Sequence, residues 1–147
     1  MKLLPVLSEI INKESLISVL KTMDFSEKEA EKELKYHINR LKNLPEIVKG
    51  YRILRVDDEK DINLEEIGSH FGENKNDLLR NHSYLTGFGE KYFIITVKIP
   101  KNEINVSETI ENNILYPHER EITVKNNGKN VKIVRIEEID TENDYFF

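Results

Sequence analysis

Apolar residues recur at helical spacing through the first third of the chain. Ile10, Ile11, Leu16, Ile17, Val19 and Leu20 form a stripe that predicts a helix over residues 8–22. Thr22 to Phe25 interrupts it. Ser26 then opens a second helix, with Glu29 three residues on, the pattern of a capping box. Ala30, Leu34, Ile38 and Leu41 follow at i, i+4, i+8 and i+11, so one face of residues 26–42 is apolar. His37 lies beside that face, where a structural or exposed role is expected. Glu27, Glu31 and Lys35 suit surface pairing at i+4. Pro45 ends the helix.

After Pro45 the pattern changes to alternation. Tyr51 to Val56 predicts a strand, with Tyr51 and Ile53 on one face and Arg52, Leu54 and Val56 on the other. The acidic run 57–61 reads as a solvated turn. A short helix is expected over 75–81 and a glycine-containing loop over 84–91. Tyr92 to Ile99 carries the strongest strand pattern, stopped by Pro100. Residues 107–111, opened by Ser107, read as a short capped helix. Glu121–Val124 and Val131–Ile136 are expected to pair as a hairpin across Asn126-Asn127-Gly128-Lys129. The acidic tail ends in Tyr145-Phe146-Phe147. With no repeat or linker, the expectation is one α+β domain over 1–147: helices over 1–44, a β-rich core over 45–139, and the tail 140–147.

Composition narrows the function classes. A chain of 147 residues can bury a real core. Its charged fraction of 33% and hydrophobic fraction of 38% belong to a globular, soluble protein. A formal net charge of −5 argues against a general nucleic-acid binder. There is no cysteine, which excludes disulfides and thiol catalysis. His37, His70, His82 and His118 lack metal-ligand spacing, so no metal site is expected. The N-terminus lacks a signal-peptide pattern, and no apolar run reaches membrane-spanning length. A cytoplasmic location is the resulting expectation. Abundant Lys, Asn, Ile and Glu with no Trp fit an AT-rich genome, such as that of a phage or low-GC bacterium.

The candidate chemistry begins at Tyr116-Pro117-His118-Glu119-Arg120-Glu121-Ile122-Thr123-Val124. On a strand, i and i+2 share a face, so Glu119 and Glu121 can look into one cleft. Adjacent like charges repel, and stability alone gives no reason for them. In an acidic chain they also fit the wet face of a surface strand. Two further features precede them in order. A helix–proline lead-in runs into Tyr51-Arg52, and Ile67-Gly68-Ser69-His70-Phe71-Gly72 stands before the short helix.

Over residues 44–137 this order resembles the ADP-ribosyltransferase family of the arginine–serine–glutamate type. The middle motif departs from the family pattern. Gly72 replaces the usual second hydroxyl, and His70 stands where a serine is expected. The resemblance implies a two-sheet β core with a central cleft, NAD as substrate, and a protein acceptor. It makes Glu121 the carboxylate that stabilises the oxocarbenium-like transition state. Glu119 would orient or deprotonate the nucleophile, and paired carboxylates suit an arginine acceptor. Arg52 would hold pyrophosphate or ribose. Ser69 would bond Glu121, His70 would stack on or bond the cofactor, and Tyr84 and Phe88 would pack on the nicotinamide. The protein would be a mono-ADP-ribosyltransferase, a phage effector or bacterial toxin. An NAD glycohydrolase and a non-catalytic interaction or inhibitor protein on the same fold are the alternatives.

Overall fold

A computed structural model describes residues 13–81, 91–117 and 120–139. The expectations for Glu119, His118, Tyr84, Phe88, the start of the first helix and the aromatic tail fall outside these residues.

Helix α1 spans Lys13–Thr22 and buries Leu16 and Leu20. Helix α2 spans Glu27–Lys42 and starts on the expected capping box. Ser26 accepts from the Glu29 N–H, and the Glu29 carboxylate accepts from the Ser26 N–H. Its inner face is Ala30, Leu34 and Leu41, all buried, with Ile38 partly covered. His37 is buried with them.

Strand β1, Ile47–Arg55, begins four residues before the expected start. The acidic run becomes a 3-10 turn, Glu59–Asp61, capped by Asp58. Strand β2 is His70–Gly72, which the pattern does not predict, and helix α3 is Lys75–Asn81, as the pattern predicts. Strand β3 runs Tyr92–Pro100, so Pro100 is its last residue. Helix α4 spans Val106–Leu115. Its cap is Asn105 rather than Ser107, because the Asn105 carboxamide oxygen accepts from the Glu108 N–H. Strands β4, Glu121–Thr123, and β5, Lys132–Glu138, complete the described elements.

The fold is α+β, with one five-stranded antiparallel sheet in the order β4-β2-β1-β3-β5. The hairpin expectation is corrected here: β4 pairs with β2 and β5 with β3, at opposite edges of the sheet. The Asn126-Asn127-Gly128 segment is a 3-10 turn with positive φ at all three residues, not a two-residue hairpin turn. Gly128 (φ +78) presses on the Gly68 carbonyl, where a Cβ would sit 2.3 Å from the oxygen. Lys125 N–H bonds Glu103 and Gly68 N–H bonds Asn127. The turn is thus anchored to distant segments, and the chain leaves β4 instead of doubling back on it. The described strands form this single sheet, not two.

The pleat sorts the core. Val48, Phe71, Ile95, Val97, Ile99 and Ile122 cluster on one face. Tyr92, Ile94 and Ile139, with Tyr51 and Ile53, cluster on the other. Helices α1, α2 and α4 form a third cluster. No helix among the described residues is long and apolar enough to cross a membrane.

Candidate functional site

The three motifs lie on neighbouring strands. Arg52 is on β1, Ser69 just before β2, His70 at the start of β2, and Glu121 at the start of β4. The β1–β2 ladder has a single paired position, Tyr51↔Gly72, beyond which the two strands separate. Arg52 occupies that split. Its Nη1 donates to the His70 carbonyl at 2.9 Å. Its guanidinium packs on Gly68 (φ +113), where any side chain would collide with it at 2.7 Å.

Register gives the faces. Directly paired residues share a face. Arg52 pairs with Ile95, on the Phe71–Ile122 face, whereas Glu121 pairs with Gly72, on the opposite face. The two side chains therefore leave the sheet from opposite faces. Burial pushes the Arg52 guanidinium below its ordinary pKa, and the Glu121 carboxylate opposes that shift. The Arg52 Nε is buried without a hydrogen-bond partner among the described residues, an unusual condition for a cation.

His70 and Glu121 do share a face. His70 Nδ1 lies 3.2 Å from Thr123 Oγ1 and 3.8 Å from Glu121 Oε2, and its ring is half exposed. Ser69 was expected to bond Glu121; its hydroxyl donates instead to Asn127 Oδ1 at 3.3 Å. Its carbonyl accepts from Val124 N–H. Ser69 thus ties β2 to the Asn126–Gly128 turn. The reason is the same anchoring that opened the expected hairpin.

Residues outside the motifs support β4. Thr109 of α4 accepts from Thr123 N–H at 2.9 Å and donates to Thr123 carbonyl at 3.2 Å. Asn113 Nδ2 donates to the carbonyls of Thr109 and Glu121. Asn112 Nδ2 donates to Thr123 Oγ1 at 3.0 Å. Thr123 was findable, because it stands two residues beyond Glu121 on the same face. Asn112 and Asn113 carry no local signal; only packing of α4 on β4 reveals them.

A cleft of about 450 Å³ opens nearby, between α1, α2 and the α4–β4 corner. Leu20, Phe25, Tyr36, His37, Asn113 and Arg120 line it, and of the described site candidates, Arg52, Ser69, His70 and Glu121, none does. Arg120, next to Glu121, has φ +47, a left-handed conformation, and its carbonyl accepts from Glu73 N–H. Burial pushes the His37 pKa down, opposed by Glu33 and reinforced by Arg40. The Arg52–Glu121 region offers charge complementarity and the cleft offers enclosed volume. For assigning chemistry the charged groups weigh more, because a cleft alone specifies no reaction.

Comparison with protein-family models, with curated proteins and with solved structures gave no match.

Proposed function

We propose that this protein is an NAD-dependent ADP-ribosyltransferase acting on a protein acceptor. One observation carries the reading: the strands bearing Arg52, His70 and Glu121 are consecutive in the sheet, with Ser69 just before β2, and the Glu121 charge opposes the effect of burial on Arg52. The residue types fit the substrate. A guanidinium suits pyrophosphate oxygens. A carboxylate suits a ribose hydroxyl and the positive charge that develops on ribose as nicotinamide leaves with the bonding electrons. The acceptor's nucleophile then bonds the anomeric carbon and gives up its proton, the step assigned to Glu119. Tyr84 and Phe88 keep their proposed place against the nicotinamide. Water in place of the acceptor makes the same chemistry an NAD glycohydrolase.

Incubation with labelled NAD, alone and with host lysate, tests this directly. Wild type should release nicotinamide and label a protein. Glu121→Gln should lose both, by roughly 10²–10³-fold, while NAD binding survives. Wild-type rates in that variant would remove Glu121 from the mechanism.

The second reading is a non-catalytic interaction protein. It is favoured by the Arg52 contacts, since a guanidinium spent on a backbone carbonyl and a glycine can be purely structural. Absence of NAD binding at millimolar concentration would select it.

A further inference from the structure

A chain of polar contacts runs from helix α4 through β4 to His70. Asn112 Nδ2 donates to Thr123 Oγ1 at 3.0 Å, and Thr123 Oγ1 lies 3.2 Å from His70 Nδ1. Thr123 is fully buried. Its hydroxyl has one proton, and Asn112 already uses an acceptor position. A buried hydroxyl keeps its proton bonded, and among the described residues the acceptor within reach is the Nδ1 lone pair. Glu121 Oε2, 3.8 Å from the same nitrogen, pulls the other way, since a carboxylate favours a proton on Nδ1. The hydroxyl is closer and the carboxylate is one-third exposed, so the hydroxyl prevails.

We propose that Asn112 and Thr123 are positioning residues that hold the neutral His70 ring as its Nε2–H tautomer. His70 then offers an N–H donor at Nε2, on the side of the ring away from Nδ1, where Thr123 and Glu121 lie. That donor suits an acceptor oxygen of a ligand, such as a hydroxyl or phosphate oxygen. That ligand role rests on the proposed function; the tautomer does not.

Nitrogen-15 NMR of the imidazole, recorded where the ring is neutral, reads the tautomer without any ligand. Wild type should show the proton on Nε2. An unconstrained histidine also leans that way, so the variants decide. Thr123→Val keeps the shape but removes the hydroxyl, leaving Glu121 to draw the proton to Nδ1. Asn112→Asp replaces the amide donor by an acceptor. The new carboxylate accepts a hydrogen bond from the Thr123 hydroxyl, Oγ1 turns its lone pairs to the ring, and the ring proton moves to Nδ1. Asn112 is only partly buried, so this variant keeps the test open if Thr123→Val does not fold. A wild-type ring protonated on Nδ1, or a folded variant of either kind that keeps Nε2–H, overturns the assignment.

NAD titration tests the donor. His70→Gln places an amide N–H near the Nε2 position and should bind within about threefold of wild type. His70→Asn places it near Nδ1 and should bind roughly tenfold more weakly, the scale of one hydrogen bond. Equal affinities of the two variants overturn the donor role. Wild type that binds no NAD overturns the proposed function instead, and the tautomer still stands or falls on its own spectrum.

Discussion

The two halves of the sheet are built differently. On one side, β1 and β3 pair continuously from Ile47↔Pro100 to Arg55↔Tyr92, and β3 pairs again with β5. On the other, β1 meets β2 at one position and β2 meets β4 at three. The first half is held by its ladder and by apolar burial on both faces of β3. The second is held from outside by the helices, through Thr109 and Asn113 of α4 and through Arg40 of α2. Arg40 grips both oxygens of Glu73, just past β2, at 2.8 and 2.9 Å. Every described candidate residue except Arg52 lies in the second half, and Arg52 stands at the boundary. Sparse backbone pairing leaves room for side chains to meet between strands, which a continuous ladder does not.

The largest expected effect tests the first half. Ile95 is fully buried at the centre of β3. Ile95→Ala should cost about 2–5 kcal/mol in urea unfolding, since it deletes core contacts and leaves a cavity. Amide exchange should rise in both halves together, because the central strand belongs to the global unit. A rise confined to β3 and β5 would show that the halves unfold independently.

Arg40→Met tests how the second half is held. Arg40 and Glu73 are both mostly covered, with side-chain exposures of 26% and 18%. Losing this charged pair should cost roughly 1.5–3 kcal/mol. The comparison predicts that exchange at β2 and β4 quickens while β3 and β5 keep their protection. Uniform acceleration would mean that the helical layer supports the whole sheet.

Thr109→Val narrows the same question to β4. It keeps the volume but strips the partner from the Thr123 N–H, a buried donor, at a cost of about 1–3 kcal/mol. The Thr123 amide should lose protection first. If the loss is no greater there than in β5, α4 is not what holds β4.

The sequence made the local features of both halves visible, but not the second half's assembly. The α2 capping box, the α3 bounds, the β3 run and the faces of β1 follow from short-range periodicity and capping chemistry. Those signals act within a turn or a strand. The pairing of β4 depends on Gly128 meeting Gly68, and Asn126-Asn127-Gly128 serves a hairpin turn and a 3-10 turn equally well. The order Arg52, Ser69–His70, Glu121 was legible because strand neighbours carry it. That Arg52 and Glu121 lie on opposite faces was not, because it depends on which strands pair and in what register. Thr109 and Asn112 were hidden for the same reason: their partner lies on another element.

The smallest effect is a pH dependence centred on His37. This histidine sits on α2, buried, with Glu33 at 3.4 Å, and lines the cleft beside the second half. Burial lowers its pKa in the folded state, Arg40 adds to the shift, and Glu33 only partly offsets it. In the unfolded chain the ring takes a proton near pH 6.5, roughly the ordinary value. Between that value and the lower folded one, the unfolded state binds more protons than the folded state. Stability therefore rises with pH across this window and is lost as pH falls through it. Urea midpoints measured between roughly pH 7.5 and 5.5 should decline toward the acid end, and His37→Gln should flatten that decline. Arg40 links the same helix to Glu73, so protonation of His37 should loosen β2 and β4 before it touches β3. Exchange that increases first at β3 and β5 on acidification would contradict the division of the sheet into a self-supporting half and a half held by helices.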